Sequence, residues 1–335
     1  MYQLKDKVGN IKELSIVFGK VSYVKNGIFI VENNNFDIHP MLYSCDITNN
    51  NIWIKDNSWE NYLMKVSDKS IKKLDFNIGL NGYISNIIVV FKDNTLSCFS
   101  TVKNEIVVNF PIIEKIKNYL SNDTNIFFQV DTTLKSLSLL TGEYEWEVDL
   151  SQNGEITTIL GVVEDELYVW LGSTTLVAIN IQNGLVQWHI NTYETHQVGF
   201  DTGVHLLADE RKVVLFHETN YVEIDLQTQN SKLLLKNTFG QDCWVFATST
   251  VLGNYIYFTG RNYTTDELSV GVFNRERLEV EWYYAAPEWQ GTVPDNFQGN
   301  AVVLSSAPQI SDNKLYVLEN GTGTLYIFER ENDAV

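Results

Sequence analysis

The sequence predicts an all-β fold: a single seven-bladed β-propeller of four-stranded blades, with six or eight blades as alternatives. Three observations predict it. Short strand-like runs recur at roughly 40–50 residues, the period of propeller blades. Long amphipathic helices are missing from the apolar pattern. The chain is 44% hydrophobic and 13% aromatic over 335 residues, enough to bury a sizeable core.

The clearest repeats are Leu137–Trp146 (LSLLTGEYEW) and Ala178–Trp188 (AINIQNGLVQW). Each reads as an apolar strand, a turn with Gly142 or Gly184, and a second strand beginning at a Trp that covers the neighbouring unit. Taking Asn180 as reference, equivalent positions are Asp46, Ser100, Ser138, Asp225, Asn274 and Glu329, with spacings of 54, 38, 42, 45, 49 and 55 residues. A β-branched or aromatic strand precedes each one: Ile28–Val31, Ile87–Phe91, Ile126–Val130, Leu167–Leu171, Val213–Phe216, Tyr255–Phe258 and Leu315–Leu318. Pro111–Leu120 reads as one short helix in a loop. Only six residues follow Glu329, too few for another strand. Residues 1–20 (Tyr2–Lys5 or Glu13–Phe18) are therefore expected to supply the closing strand of one domain spanning 1–335, which removes an exposed edge.

Asn180, Asn183, Gly184 and Trp188 match the pattern apolar-x-Asp/Asn-x-x-Thr/Asn-Gly-x-x-x-Trp. Thr141, Gly142 and Trp146 follow it, with Ser138 in the acid position, and Asp225, Asn274 and Trp282 match in part. This resembles the quinoprotein (PQQ-like) propeller repeat. The resemblance implies the propeller fold. It says little of function, because the repeat recurs in enzymes, outer-membrane assembly proteins and noncatalytic scaffolds. The family's quinone-dependent dehydrogenases are longer and carry the full signature in most of eight blades. This chain has no Cys-Cys pair and a weak signature outside two repeats, so no cofactor is expected.

The net charge is −18. Residues 1–130 hold 14 basic and 13 acidic side chains, and residues 131–335 hold 10 and 29, so the second part carries −19. Such a field opposes binding to nucleic-acid phosphate or an acidic membrane surface. It favours a basic protein partner, as well as solubility. No run approaches the ~18 apolar residues of a membrane span. The start MYQLKDKVGN lacks a basic-then-apolar leader, and three cysteines (Cys45, Cys98, Cys243) make a poor disulfide framework. The expected compartment is the cytoplasm.

Catalytic motifs are missing. The histidines, His39, His189, His196, His205 and His217, show no metal-ligand spacing, and His196 in a loop is the best functional candidate among them. No nucleophile elbow or phosphate loop occurs. Cys45 and Cys98 read as inert core residues. Three loops at equivalent places in successive repeats are more informative: Asn191–Gly203, Thr238–Val245 and Pro287–Asn300. They offer Tyr193, Phe200, Phe239, Trp244, Trp289 and Phe297 beside Glu194, His196, Asp201, Asp242, Glu288 and Asp295. Aromatics among acids suit a protein-binding hot spot. The expected function is noncatalytic binding of a basic protein, in its specific form a bacterial immunity protein neutralising a basic toxin. The alternative is a carbohydrate-binding or glycan-cleaving propeller using its central funnel, with Asp201, Asp242 and Asp295 as candidate acids.

Overall fold

The computed structural model describes the chain except residues 1, 18–19, 27, 32–33, 37–39, 47–50, 57–60, 66–69, 75–76, 79–86, 93–94, 101–102, 104, 112–115, 123, 218–219, 237–242, 263–266, 290–303, 305 and 331–335. Among the described residues, 32 strands form eight four-stranded antiparallel sheets. In chain order the first seven sheets span residues 11–36, 40–74, 77–111, 116–149, 156–191, 204–236 and 243–284. The eighth takes Gln309–Ser311, Lys314–Glu319 and Thr324–Arg330, and the N-terminal strand Tyr2–Val8 completes it. That strand pairs from Tyr2 with Arg330 to Val8 with Leu325, so the chain's two ends share one sheet, as expected of a closing strand.

Among the described residues the sheets number eight and not seven, because the reference at Asp46 is out of phase. Ser100, Ser138, Asn180, Asp225 and Asn274 each end the third strand of their sheet, and Glu329 stands one residue before that end. Asp46 ends a first strand, Pro40–Asp46. The third strands of the first two sheets end at Val31 and Lys65. Spacings from there are 34, 35, 38, 42, 45, 49 and 55 residues, and the gap of 54 from Asp46 to Ser100 hid the third-strand end at Lys65. Ile28–Val31 is accordingly a third strand and not a second. The expected helix at Pro111–Leu120 is also replaced. Glu105–Pro111 is a strand and Ile116–Ser121 opens the fourth sheet, paired with Asn125–Val130. Strand pairing outweighs the weak helical pattern of ten residues.

The chain divides into two compact units: residues 1–38 with 200–335, and residues 39–199. Each holds four of the sheets. Within a unit the core lies in the seams between consecutive sheets. In the second unit Phe127, Leu134 and Trp146 of the fourth sheet pack on Ile156, Leu167, Val169 and Val177 of the fifth. In the first unit Val214, Phe216 and Tyr221 of the sixth sheet meet Ile256, Phe258 and Phe273 of the seventh. The seventh meets the eighth through Val270, Trp282, Leu315 and Phe328.

Four of the reference positions, Ser138, Asn180, Asp225 and Asn274, have a common job: they cap the turn between third and fourth strands. Asn180 Oδ1 accepts from the Gln182 N–H at 3.0 Å, Asn274 Oδ1 from Glu276 and Arg277 at 2.9 and 3.0 Å, and Asp225 Oδ1 from Thr228 at 2.7 Å. Short polar side chains suit that task because they reach a backbone N–H two or three residues on. The Trp then crosses the seam. Trp146 Nε1 donates to the Ile181 carbonyl of the next sheet at 2.7 Å, and Trp282 Nε1 to the Tyr2 carbonyl at 2.9 Å. Gly184 has φ +71°, and a Cβ there would stand 2.7 Å from the Trp146 ring. Gly184→Ala therefore combines a left-handed backbone penalty with overpacking. The expected loss is about 2–4 kcal/mol of unfolding free energy. Denaturant titration checks it, and an unchanged midpoint would contradict this packing.

Candidate functional site

The three loops differ in what they expose. The first carries a short helix, α1 (Thr192–His196). Asn191 caps it, accepting from the Tyr193 and Glu194 N–H groups at 2.9 and 3.0 Å, and Gln197 ends it in a left-handed conformation. Thr192 is fully buried and its hydroxyl sits 3.1 Å from the Thr174 carbonyl and 3.0 Å from that of Val198. This anchoring leaves Tyr193 56% exposed with Glu194 exposed beside it, and His196 half-buried. Phe200 is fully buried, which corrects the expectation that it touches a partner; its ring serves the core. Asp201 is exposed in the bend before the sixth sheet.

In the third loop Trp289 is likewise fully buried and holds the fold. It packs edge-on against Tyr284 at 5.7 Å and Tyr326 at 4.8 Å, in the short 3-10 turn Pro287–Trp289. Glu288 beside it is exposed, accepts from Tyr326 Oη at 3.0 Å and pairs with Lys7. The hydrogen bond from Lys7 keeps its carboxyl below the ordinary range. Asp295 and Phe297 lie outside the described residues, as do Phe239 and Asp242 of the second loop. Trp244 stands in the strand Cys243–Leu252, with its side chain outside the description. The structure thus joins Tyr193, Glu194 and His196 on α1, and Glu288 with Trp289 at the 3-10 turn.

Part of the acidity has a structural role. Glu145, Glu147 and Asp149 are exposed along Tyr144–Asp149, the edge strand of the fourth sheet. Charge on an edge strand blocks pairing with another chain. Cys98 is fully buried and its thiol is pushed up to about 12 by burial, so it is inert, as expected. Among the described residues, no three His, Cys, Asp or Glu side chains gather as metal ligands.

The strongest electrostatic feature is one that loop composition does not signal. Arg275, with its side chain only 5% exposed, uses every N–H it has. Nε donates to Tyr221 Oη at 3.1 Å, Nη1 to Glu210 and the Gly253 carbonyl at 2.8 Å each, and Nη2 to Glu210 at 2.8 Å and Glu223 at 2.9 Å. Lys212 adds 2.7 Å to Glu223. Burial pushes Glu223 up, but hydrogen bonds from Lys212, Tyr221 and Arg275 outweigh it and hold the carboxylate below its ordinary range. A basic residue directly after the turn cap Asn274, where Ser138, Asn180 and Asp225 are followed by Leu139, Ile181 and Leu226, was the available signal.

Comparison with known proteins follows the same lines. Residues 48–335 match the family model described as outer membrane protein assembly factor BamB. The chain belongs to this family. No curated protein matches it in sequence. Among solved structures it resembles BamB from Moraxella catarrhalis, at 12% identity and TM-score 0.58, covering 98% of this chain and 100% of that one. It also resembles the C-terminal WD40 domain of Sif2 (12% identity, TM-score 0.64, 99% of each chain) and the computationally designed Ika8 protein (14%, 0.64, 96% of each). At these identities the likeness shows the fold, a β-propeller with PQQ-like repeats.

The structure perturbs the chemistry of His205. It joins the first strands of the sixth and seventh sheets through Ser249 Oγ at 2.8 Å, and burial lowers its pKa from 6.5 to about 4. The unfolded chain takes up a proton near pH 6.5 and the folded one only near 4. Stability should therefore be unaffected by this group above pH 6.5 and fall through the interval from 6.5 to 4, by up to about 3 kcal/mol. Melting temperature against pH for wild type and His205→Asn tests it: the variant should lose that part of the slope, and parallel curves would refute the assignment.

Proposed function

We propose that the protein is a noncatalytic binding propeller and that its partner is a basic protein, held in a reducing cytoplasm. One observation carries the reading: residues 131–335 hold an excess of 19 negative charges, in a chain of the BamB family. The family's description names assembly of other proteins, which is work done by binding. Tyr193 beside Glu194 supports it further, because a large exposed ring on a capped, anchored turn loses little entropy when bound. In its specific form the partner is a basic toxin such as a nuclease, and this protein is its neutralising inhibitor. An acidic surface suits such a partner by speeding encounter and fixing orientation.

The test is affinity capture from native lysate at low salt, then titration of the captured partner. A basic partner is expected, with association slowing steeply as salt rises. Tyr193→Ala and Glu194→Lys should each weaken Kd about tenfold. A partner bound equally well at every ionic strength and by both variants would overturn this reading.

A further inference from the structure

Between the seventh and eighth sheets lies a cavity of about 140 Å³ lined by Tyr2, Tyr255, Tyr257, Val272, Glu281, Trp282 and Arg330. Its meaning comes from the repeat. Arg330 follows Glu329 as Arg275 follows Asn274, and the backbone confirms the equivalence. Each donates its N–H to the turn residue ahead of its own sheet's second strand, Arg330 to Asn313 and Arg275 to Asn254, both at 2.9 Å. Both arginines face back to the preceding sheet: Arg275 to Tyr221 and Glu223, Arg330 to Tyr255, whose ring centroid lies 5.5 Å from its guanidinium carbon.

The partners differ. Lys212 pairs with Asp225 across the sixth sheet and Tyr255 with Asn274 across the seventh; likewise Val214 with Glu223 and Tyr257 with Val272. Position by position, Glu223 becomes Val272, Lys212 becomes Tyr255 and Glu210 becomes Gly253. So Arg330 keeps the place of the clamp arginine, while both carboxylates that Arg275 holds are gone. Among the described residues no carboxylate pairs with Arg330, and the cavity lies before it.

We propose that this cavity takes a carboxylate on a flat apolar body, the carboxylate pairing with Arg330 and the body lying between Tyr255, Tyr257, Val272 and Trp282. Its volume is close to that of the ~150 Å³ engineered cavity that holds benzene, so a single ring fits. The other polar groups in the wall have partners, and that of Tyr255 is Arg330 itself. Trp282 Nε1 donates to the Tyr2 carbonyl, and Glu281 accepts from Asn274 at 2.7 Å and Arg277 at 3.1 Å, which lessens its repulsion of an anion. Tyr2 and Tyr257 meet through their hydroxyls at 3.5 Å. Burial raises Tyr257, so it remains a neutral phenol beside the bound anion.

The experiment titrates the full chain with benzoate and with benzamide, its neutral counterpart, following heat and amide shifts. A second arm uses acetyl-phenylalanine and its amide, to separate a free small acid from the carboxyl end of a peptide. Millimolar binding of the acids is expected, at least about tenfold tighter than of the amides, with the same loss in Arg330→Gln. Circular dichroism checks that the variant folds. Val272→Glu restores the missing clamp carboxylate: it should abolish acid binding and melt higher with Arg330 present than in the Arg330→Gln background. Equal binding of acids and amides, wild-type affinity in Arg330→Gln, or no binding of either acid would overturn the proposal.

Discussion

The seam between consecutive sheets is the constraint on which this structure depends. A four-stranded sheet alone cannot cover its apolar faces, and within each unit consecutive sheets cover one another. Apolar packing provides most of the contact, but it is non-directional and does not set how two sheets align. Alignment comes from a polar contact at the residue after the third strand. In the second unit the Ile181 carbonyl takes the indole N–H of Trp146, over a glycine that leaves room for the ring. In the first unit that position is Arg275, which reaches back to Glu210, Tyr221 and Glu223 where the sixth sheet has Leu233 at the Trp offset. Two chemistries answer one geometric need.

How far this was legible depended on which residue did the capping. Where a short polar side chain closes the turn, as at Ser138, Asn180, Asp225 and Asn274, the repeat stands out, and the strand order follows. Where Val31 and Lys65 end the third strand, no short capping side chain marks the phase, and the reference falls instead on Asp46 at the end of a first strand. Several strands of those sheets, such as Asn34–Phe36 and Asn61–Lys65, hold no β-branched residue, so they carry little strand signal of their own.

The candidate surface was harder to read than the fold, for a physical reason. An aromatic side chain in a loop has two uses, to plug a seam or to meet a partner, and composition does not separate them. Trp289 plugs the seam between the seventh and eighth sheets and Phe200 is buried, whereas Tyr193 points outward because Asn191 and Thr192 fix the turn beneath it. Acids divide in the same way. Glu210 and Glu223 neutralise a buried arginine, Glu145 and Glu147 guard an edge, and Glu194 stands beside Tyr193. The buried arginine is the converse case: beside the turn cap Asn274, Arg275 is paired by Glu210 and Glu223 of the preceding sheet.

A double-mutant cycle on Arg275→Met and Glu223→Leu, read by denaturant unfolding, tests the seam clamp most directly. Removing Arg275 alone should cost about 3–5 kcal/mol by leaving acids unpaired at the seam. The account predicts that the double variant is less destabilised than the sum of the singles, with an interaction of at least about 1.5 kcal/mol. Additive losses within about 0.5 kcal/mol would contradict it.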